Sequence, residues 1–324
     1  MWNTIEQMAP YAVGYTVPIL ITALGGLFSE RSGIINIGLE GLMVIGSFVG
    51  GVSVYYFGPL MGNARAAWLG ILLAMLAGTL FSVLHAFASI NLNADQTISG
   101  TAINLMAGAL VLYISRRFVG TGNIVVNSMT RVDIPVLKDI PVIGKLFLTD
   151  TYPTTWFVLV ILIVSWFVIE RTPFGLRLRS CGEFPEAADA AGISVARIRY
   201  AGVLLSGACA GLGGAIYTVT TAGQCNGSVD GLGFLALAVM IFGNWKPLNV
   251  AGGALLFGLF KCIAASYSTL DINGDGIYWL NTIGLNGHFY RLLPYLITLI
   301  VLAFTSRSSR APKAEGIPYD KGTR

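Results

Sequence analysis

Nine apolar stretches follow one another along this chain, near residues 10–28, 34–54, 66–90, 98–115, 154–169, 199–221, 229–244, 248–268 and 289–306. This succession limits the fold more than any single motif does. Crossing the ~30 Å hydrocarbon core takes about 20 apolar residues in a helix, and backbone amides in lipid must be satisfied within the helix itself. Only 11% of the residues are charged and 55% are hydrophobic, with a mean hydropathy of +0.72. Soluble domains carry about 25% charged residues. The sequence therefore predicts an all-α, polytopic transmembrane helical bundle, a single domain over residues 1–324, with about nine spans and a range of about eight to ten.

The formal net charge is only +4 and gathers in a few connections, so it reports topology and speaks against a nucleic-acid partner. Residues 170–199 hold Arg171, Arg177, Arg179, Arg197 and Arg199. If this loop is cytoplasmic, alternation places Lys246 and the tail at 307–324 (Arg307, Arg310, Lys313, Lys321, Arg324) on the same side. The connections around Asp230 and over 269–288 carry no Lys or Arg and fall outside. Residues 116–153 form the one long connection, expected to be extracytoplasmic despite Arg116, Arg117, Arg131, Lys138 and Lys145. That loop reads either as a docking surface for a solute-binding protein or as a flap over the outer mouth. The start, MWNTIEQMA, lacks the basic residues of a cleavable signal peptide, so the first span is expected to stay; its side of the membrane is open.

Residues 170–199, ERTPFGLRLRSCGEFPEAADAAGISVARIR, carry the densest charge in the chain. Pro173 and Gly175 read as helix breakers. Pro185 then stands at a first helical position before EAADAA, and Gly192 closes that short helix. On physics alone this is either an ordinary basic loop or a short helix that receives force from a soluble partner. The segment FGLRLRSCGEFPEAADAAGIS resembles the coupling loop of ABC-importer permeases of the branched-chain amino acid, ribose and nucleoside type. The resemblance implies contacts to an ATPase from Arg177, Arg179, Gly182, Glu183, Pro185, Glu186, Ala187, Ala188 and Gly192. Phe184 and Cys181 depart from the usual asparagine and small aliphatic residue. The run LFSERSGIINIGLEGLMVIGSF at 27–48 is similar to the nucleoside and simple-sugar branch, and residues 202–266 extend the likeness.

Two polar groups lie inside apolar runs. Asn36 and Glu40 are four apart and share a face of the predicted helix. A carboxylate at membrane depth is a functional hypothesis by default, although an internal pairing with Arg31 or a backbone group near the helix end fits as well. Thr97, Thr101 and Asn104 form a second stripe, suited to a ribose or base edge or to interhelical hydrogen bonds. Asp95 before it reads as an N-cap or as part of the same site. Gln224, Asn226 and Asn244 sit at span ends. Gly46-x-x-x-Gly50 and Gly207-x-x-x-Gly211, extended by Gly214, read as close helix packing. The run DINGDG at 271–276 matches half of a calcium loop, but Thr282 stands where a bidentate Glu is required, so it reads as a turn. Four dispersed cysteines (Cys181, Cys209, Cys225, Cys262) without CxxC, and only His85 and His288, give no metal site.

No G-x-x-x-x-G-K-[ST], H-E-x-x-H or G-x-S-x-G occurs, so the chain is not expected to hydrolyse ATP by itself, and the resemblance implies a transport subunit and not an enzyme. The resemblance implies a multi-pass permease of a bacterial plasma (inner) membrane, forming the path for a nucleoside or related sugar and needing no cofactor of its own. It also implies an ABC ATPase partner with two fused nucleotide-binding domains. A second permease chain, a longer homologue making a heterodimer, and an extracytoplasmic solute-binding lipoprotein complete the set, within membrane lipids. The rival reading is an ion-coupled secondary carrier of a small polar solute, with Glu40 as its titrating group.

Overall fold

The computed structural model describes residues 2–127, 129–133, 144, 146, 149–267, 287–305 and 310–320. Helices follow one another along them: α1 (Trp2–Arg31), α2 (Leu39–Met61), α3 (Asn63–Ile90), α4 (Gln96–Ile114), α5 (Pro153–Arg171), α6 (Pro173–Glu183), α7 (Pro185–Ala190), α8 (Val195–Tyr217), α9 (Leu232–Phe242), α10 (Pro247–Ser266) and α11 (Gly287–Thr305). Among the described residues seven are long and apolar enough to cross a membrane. The last expected span is present as the 19-residue α11, whose side chains are partly described.

The bundle is built around α1 and α8. The apolar window of Met8–Arg31 is 94% buried inside the chain and that of Val195–Ala222 78%, against 22% for Gln96–Val119. Glycine makes the close approach possible where α2, α3 and α8 meet. A Cβ added at Gly46 would run into the carbonyl of Gly211, one at Gly214 into that of Met43, and one at Gly78 into that of Gly207. The small-residue motifs are thus packing devices. The outward sides of α3 and α5 carry exposed Leu76, Leu80, Leu84, Ile163 and Phe167.

Two expected spans differ. The run at 34–54 becomes helical only at Leu39. Residues 34–38 pass through the bundle without helical structure, because β-branched Ile34, Ile35 and Ile37 are poor helix formers and Gly33 takes φ +95°. The run at 229–244 yields the eleven-residue α9, about 16 Å long and so about half the hydrocarbon core. Its limits are set by left-handed Asp230 and Gly231 before it, and by Asn244 and Trp245, both at φ 52°, after it.

At the far end of α8, a π-helical turn at Thr218–Ala222 leads into strand β2 (Gln224–Cys225), which pairs antiparallel with β1 (Ile124–Val125) from the long connection. That connection returns through a Val132–Thr151 bridge. Arg131 pairs there with Asp150 at 2.7 Å and lies over the rings of Tyr11 and Tyr152. Residues 134–143, the DINGDG run with Thr282, and Arg307, Lys321 and Arg324 lie outside the described residues.

Candidate functional site

The non-helical stretch at 34–38 enters the bundle at depth, and its backbone groups are met by side chains. Asn36 Nδ2 donates to Ser206 Oγ at 2.9 Å, about 16 Å along α8 from its start at 1.5 Å per residue. The Ile35 amide donates to Gln96 Oε1 at 2.7 Å, and the Ile35 carbonyl lies 2.9 Å from His85 Nε2. A carbonyl can only accept, so Nε2 carries the proton and Nδ1 accepts from Ser99 Oγ at 3.0 Å. Asn104 donates to the Ile37 carbonyl at 3.0 Å and accepts from the Gly41 amide at 2.7 Å. Irregular backbone at membrane depth survives only where protein or a cavity satisfies it, and it marks substrate sites in transporters.

Glu40 lies two residues into α2 and does not share a helix face with Asn36, which is in the non-helical stretch. Its two carboxylate oxygens accept from the amides of Gly231 at 3.0 Å and Gly233 at 2.7 Å. These are donors at the N-terminus of α9, where orphan amides and the helix dipole favour an anion. Arg31 binds elsewhere: its guanidinium donates to the Trp245 carbonyl at 2.7 and 3.1 Å.

The expected stripe shares one face of α4, and most of that face is exposed. Thr97 and Thr101 are exposed on the side turned away from this chain's bundle, with Thr101 Oγ1 bonded back to the Thr97 carbonyl at 2.8 Å. At about 100° per residue the three positions stay within about 60° of one another, but this face lies at the edge of the buried side of α4 and only Asn104 reaches the break. Gln96 and Ser99 join it from the neighbouring face. Asp95 is the N-cap, accepting from the amides of Thr97 at 2.8 Å and Ile98 at 3.0 Å.

Beside Glu40 lies a cavity of about 470 Å³ lined by Tyr15, Tyr217, Asp230, Lys261, Ala264, Ala265 and Tyr295. Tyr217 donates to Asp230 Oδ2 at 2.7 Å, and Lys261 Nζ to the Asp230 carbonyl at 2.9 Å. None of these residues stands out among the candidates read from sequence. The available signal was Lys261 itself, an ammonium inside an apolar run, which is costly unless it lines a polar space.

At the opposite end, α6 and α7 lie against the ends of α1 and α8. Pro173 is the first residue of α6, with Thr172 Oγ1 capping the Gly175 amide at 3.2 Å. It breaks one helix and starts the next, so the expected break at Pro173 and Gly175 is confined to one residue. α7 starts at Pro185 and ends before Gly192 at φ +81°, as expected. The loop residues divide by burial: Gly182, Pro185 and Ala188 are buried, Arg179 and Glu183 half-buried, and Arg177, Glu186, Ala187 and Gly192 exposed. Gly182 faces α1 so closely that a Cβ would meet the Arg31 carbonyl. A groove of about 430 Å³ runs along Leu176, Glu183, Phe184, Ala187, Ala191 and Ile193. Burial pushes the Cys181 thiol up to about 11, with Arg199 pulling the other way.

The C-terminal segment straps across this end. The Ala314 amide donates to the Gly182 carbonyl at 2.8 Å, the Gly316 amide to Gly33 at 3.1 Å, and Arg199 Nη1 to the Ile317 carbonyl at 3.1 Å. Lys313 Nζ sits 4.7 Å over the Phe184 ring. Glu315 shares a hydrogen bond with buried Glu30, whose Oε2 accepts from Trp245 Nε1 at 2.6 Å.

The family described as branched-chain amino acid transport system permease component matches residues 9–302. The chain is 42% identical to the guanosine ABC transporter permease protein NupQ of Bacillus subtilis, over 99% of this chain and 98% of that one. It is 43% identical to the nucleoside ABC transporter permease protein NupC of Lactococcus lactis, over 98% of each. A second Bacillus subtilis protein, the guanosine ABC transporter permease protein NupP, is 28% identical over 81% of this chain and 75% of its own length. No solved structure matches. With seven membrane-length helices among the described residues and a family match across most of its length, the chain belongs to the branched-chain amino acid transport system permease family, as a multi-pass plasma-membrane permease subunit of an ABC importer.

Proposed function

We propose that this permease subunit carries nucleosides, with ATP hydrolysed on a separate ATPase subunit that docks on α6 and α7. The observation that carries the reading is near-full-length identity of 42% and 43% to permeases named for guanosine and nucleoside uptake. Its partners are a second, longer permease chain, the ATPase and an extracytoplasmic solute-binding lipoprotein. The pairing is supported by the likeness of both NupQ and NupP to this chain. The α6–α7 end is then cytoplasmic, and the 116–153 connection faces the receptor. Of the loop residues, exposed Arg177, Glu186 and Ala187 meet the ATPase, while buried Gly182 and Ala188 fix the loop to α1 and α8. ATP-driven closure of the ATPase would press on α7 and bias the bundle between outward- and inward-facing states.

Gentle-detergent purification of the tagged chain from native membranes tests this. Mass spectrometry is expected to find an ATPase, a second permease and a lipoprotein, and the reconstituted complex to take up labelled guanosine only with ATP. Glu186→Lys should abolish that uptake while insertion stays at the wild-type level. Uptake by the chain reconstituted alone, collapsed by an uncoupler at constant ATP, would overturn the reading.

A further inference from the structure

The cavity bounded by α1, α8, α10, α11 and the turn before α9 has the composition of a binding site. Ligand pockets run from about 300 to 1,000 Å³ and set a few fixed polar groups among aromatic walls. This one has about 470 Å³, three tyrosines, one carboxylate and one ammonium. Its carboxylate is held in place: Asp230 adopts φ 54°, its amide donates to Ser228 Oγ at 3.1 Å, and Oδ2 takes the Tyr217 hydroxyl at 2.7 Å. Among the described residues this is the one bond its carboxylate accepts, which leaves acceptor capacity to spare. Glu40, by contrast, has both oxygens on α9 amides and serves the architecture.

We infer that this cavity is the membrane-depth chamber for the solute, in which Asp230 accepts the ribose hydroxyls and the rings of Tyr15, Tyr217 and Tyr295 hold the base. The inference rests on the nucleoside reading. A vicinal diol offers two O–H donors to one carboxylate, and every base presents a π face that stacks on an aromatic ring whatever its sequence identity. Lys261, anchored on the Asp230 carbonyl, supplies a cationic donor near the exocyclic carbonyl of a base. With Asp230 and Glu40 adjacent and Lys261 the one cation among the described lining residues, a phosphorylated nucleotide is repelled and a neutral nucleoside is not.

The test uses the complete importer in proteoliposomes. Asp230→Asn should lower the initial rate of guanosine uptake at saturating receptor by at least tenfold. Ala265→Cys places a thiol on the exposed wall of the cavity, and its alkylation by a small maleimide is read in the receptor-free complex, with the unsubstituted protein as control. Guanosine should slow that reaction at least fivefold and more than 2′,3′-dideoxyguanosine does. With Asp230→Asn added, the advantage of guanosine over the dideoxy analogue should vanish. This labelling carries the test on its own if the Asp230→Asn chain fails to assemble. Wild-type importer that moves guanosine, with labelling indifferent to it or an unchanged guanosine advantage in the double variant, overturns the chamber and leaves the nucleoside reading standing. Wild-type importer that moves no nucleoside overturns that reading, and the ligand assigned to the chamber with it.

Discussion

Glu40 holds two segments together that are far apart in the chain. Its oxygens receive the amides of Gly231 and Gly233, and a Cβ at Gly233 would press on the Glu40 backbone, so α2 and α9 meet N-terminus to N-terminus around one carboxylate. Glu40→Ala leaves the buried Gly233 amide and the half-buried Gly231 amide without this acceptor, at a cost of up to about 1–3 kcal/mol per group. Its melting temperature in detergent should fall by several degrees, with Glu40→Gln, which keeps one acceptor, in between. Equal melting for all three chains would remove the anchoring role. The residue was legible in sequence as a carboxylate in an apolar run, but its partners were not. They are backbone amides nearly two hundred positions away, and nothing in residue type marks an amide as an anion's donor. The Asn36–Glu40 spacing misled for a related reason: hydropathy does not distinguish a helical span from an apolar stretch whose backbone is satisfied by neighbouring side chains.

The short α9 runs from the cavity at Asp230 toward the α6–α7 end. Its N-terminus borders Asp230, and past its C-terminus Trp245 binds Glu30 through its ring nitrogen and Arg31 through its carbonyl. The Arg31 carbonyl in turn lies against Gly182 of α6. Trp245→Phe keeps the ring and removes the donor, so nucleoside-stimulated ATPase activity should fall several-fold relative to the unstimulated rate. Stimulation at the wild-type level would make α9 a filler. The helix was read from sequence as a full span, since an apolar run of sixteen residues does not reveal that left-handed residues at both ends trim it to eleven. The α6–α7 loop was more legible, because proline at a helix start and glycine past its end act locally. The strap over it was invisible, since its hydrogen bonds with Gly182, Gly33 and Arg199 all use its backbone groups. Burial raises the Glu315 carboxyl above its ordinary range, partly offset by the bond with Glu30. Protonation is therefore favoured in the docked strap. Its contribution is fully present below the ordinary carboxylate value of about 4.3 and is lost as pH rises through the raised value. Amide exchange over residues 313–317, corrected for its intrinsic pH dependence, should quicken across that window, and Glu315→Gln should flatten the response. A wild-type strap with pH-independent protection would sink the argument.

At the scale of the whole molecule, the hydrophobic effect selects the membrane but not the arrangement of helices within it, since lipid tails are as apolar as leucine. Shape has to do that, and the shape here is glycine along the seam of α2, α3 and α8. Gly46, Gly78, Gly207, Gly211 and Gly214 each leave no room for a Cβ against a backbone carbonyl of the opposing helix. The composition makes the same point: 40 glycines in 324 residues are entropically costly in helices, at roughly 0.5–1 kcal/mol each relative to Ala, unless contact repays them. Gly252 in α10 provides the contrast, with nothing within 4 Å of an added Cβ. Gly211→Val should therefore separate α8 from α3 and leave a chain that inserts but does not melt cooperatively or assemble with its partners. Gly252→Ala should leave assembly intact and match or slightly exceed the wild-type melting temperature. Size-exclusion profiles and thermal melts of the two variants decide it: a Gly211→Val chain that melts and assembles like the wild type would mean that the seam is not what sets the bundle.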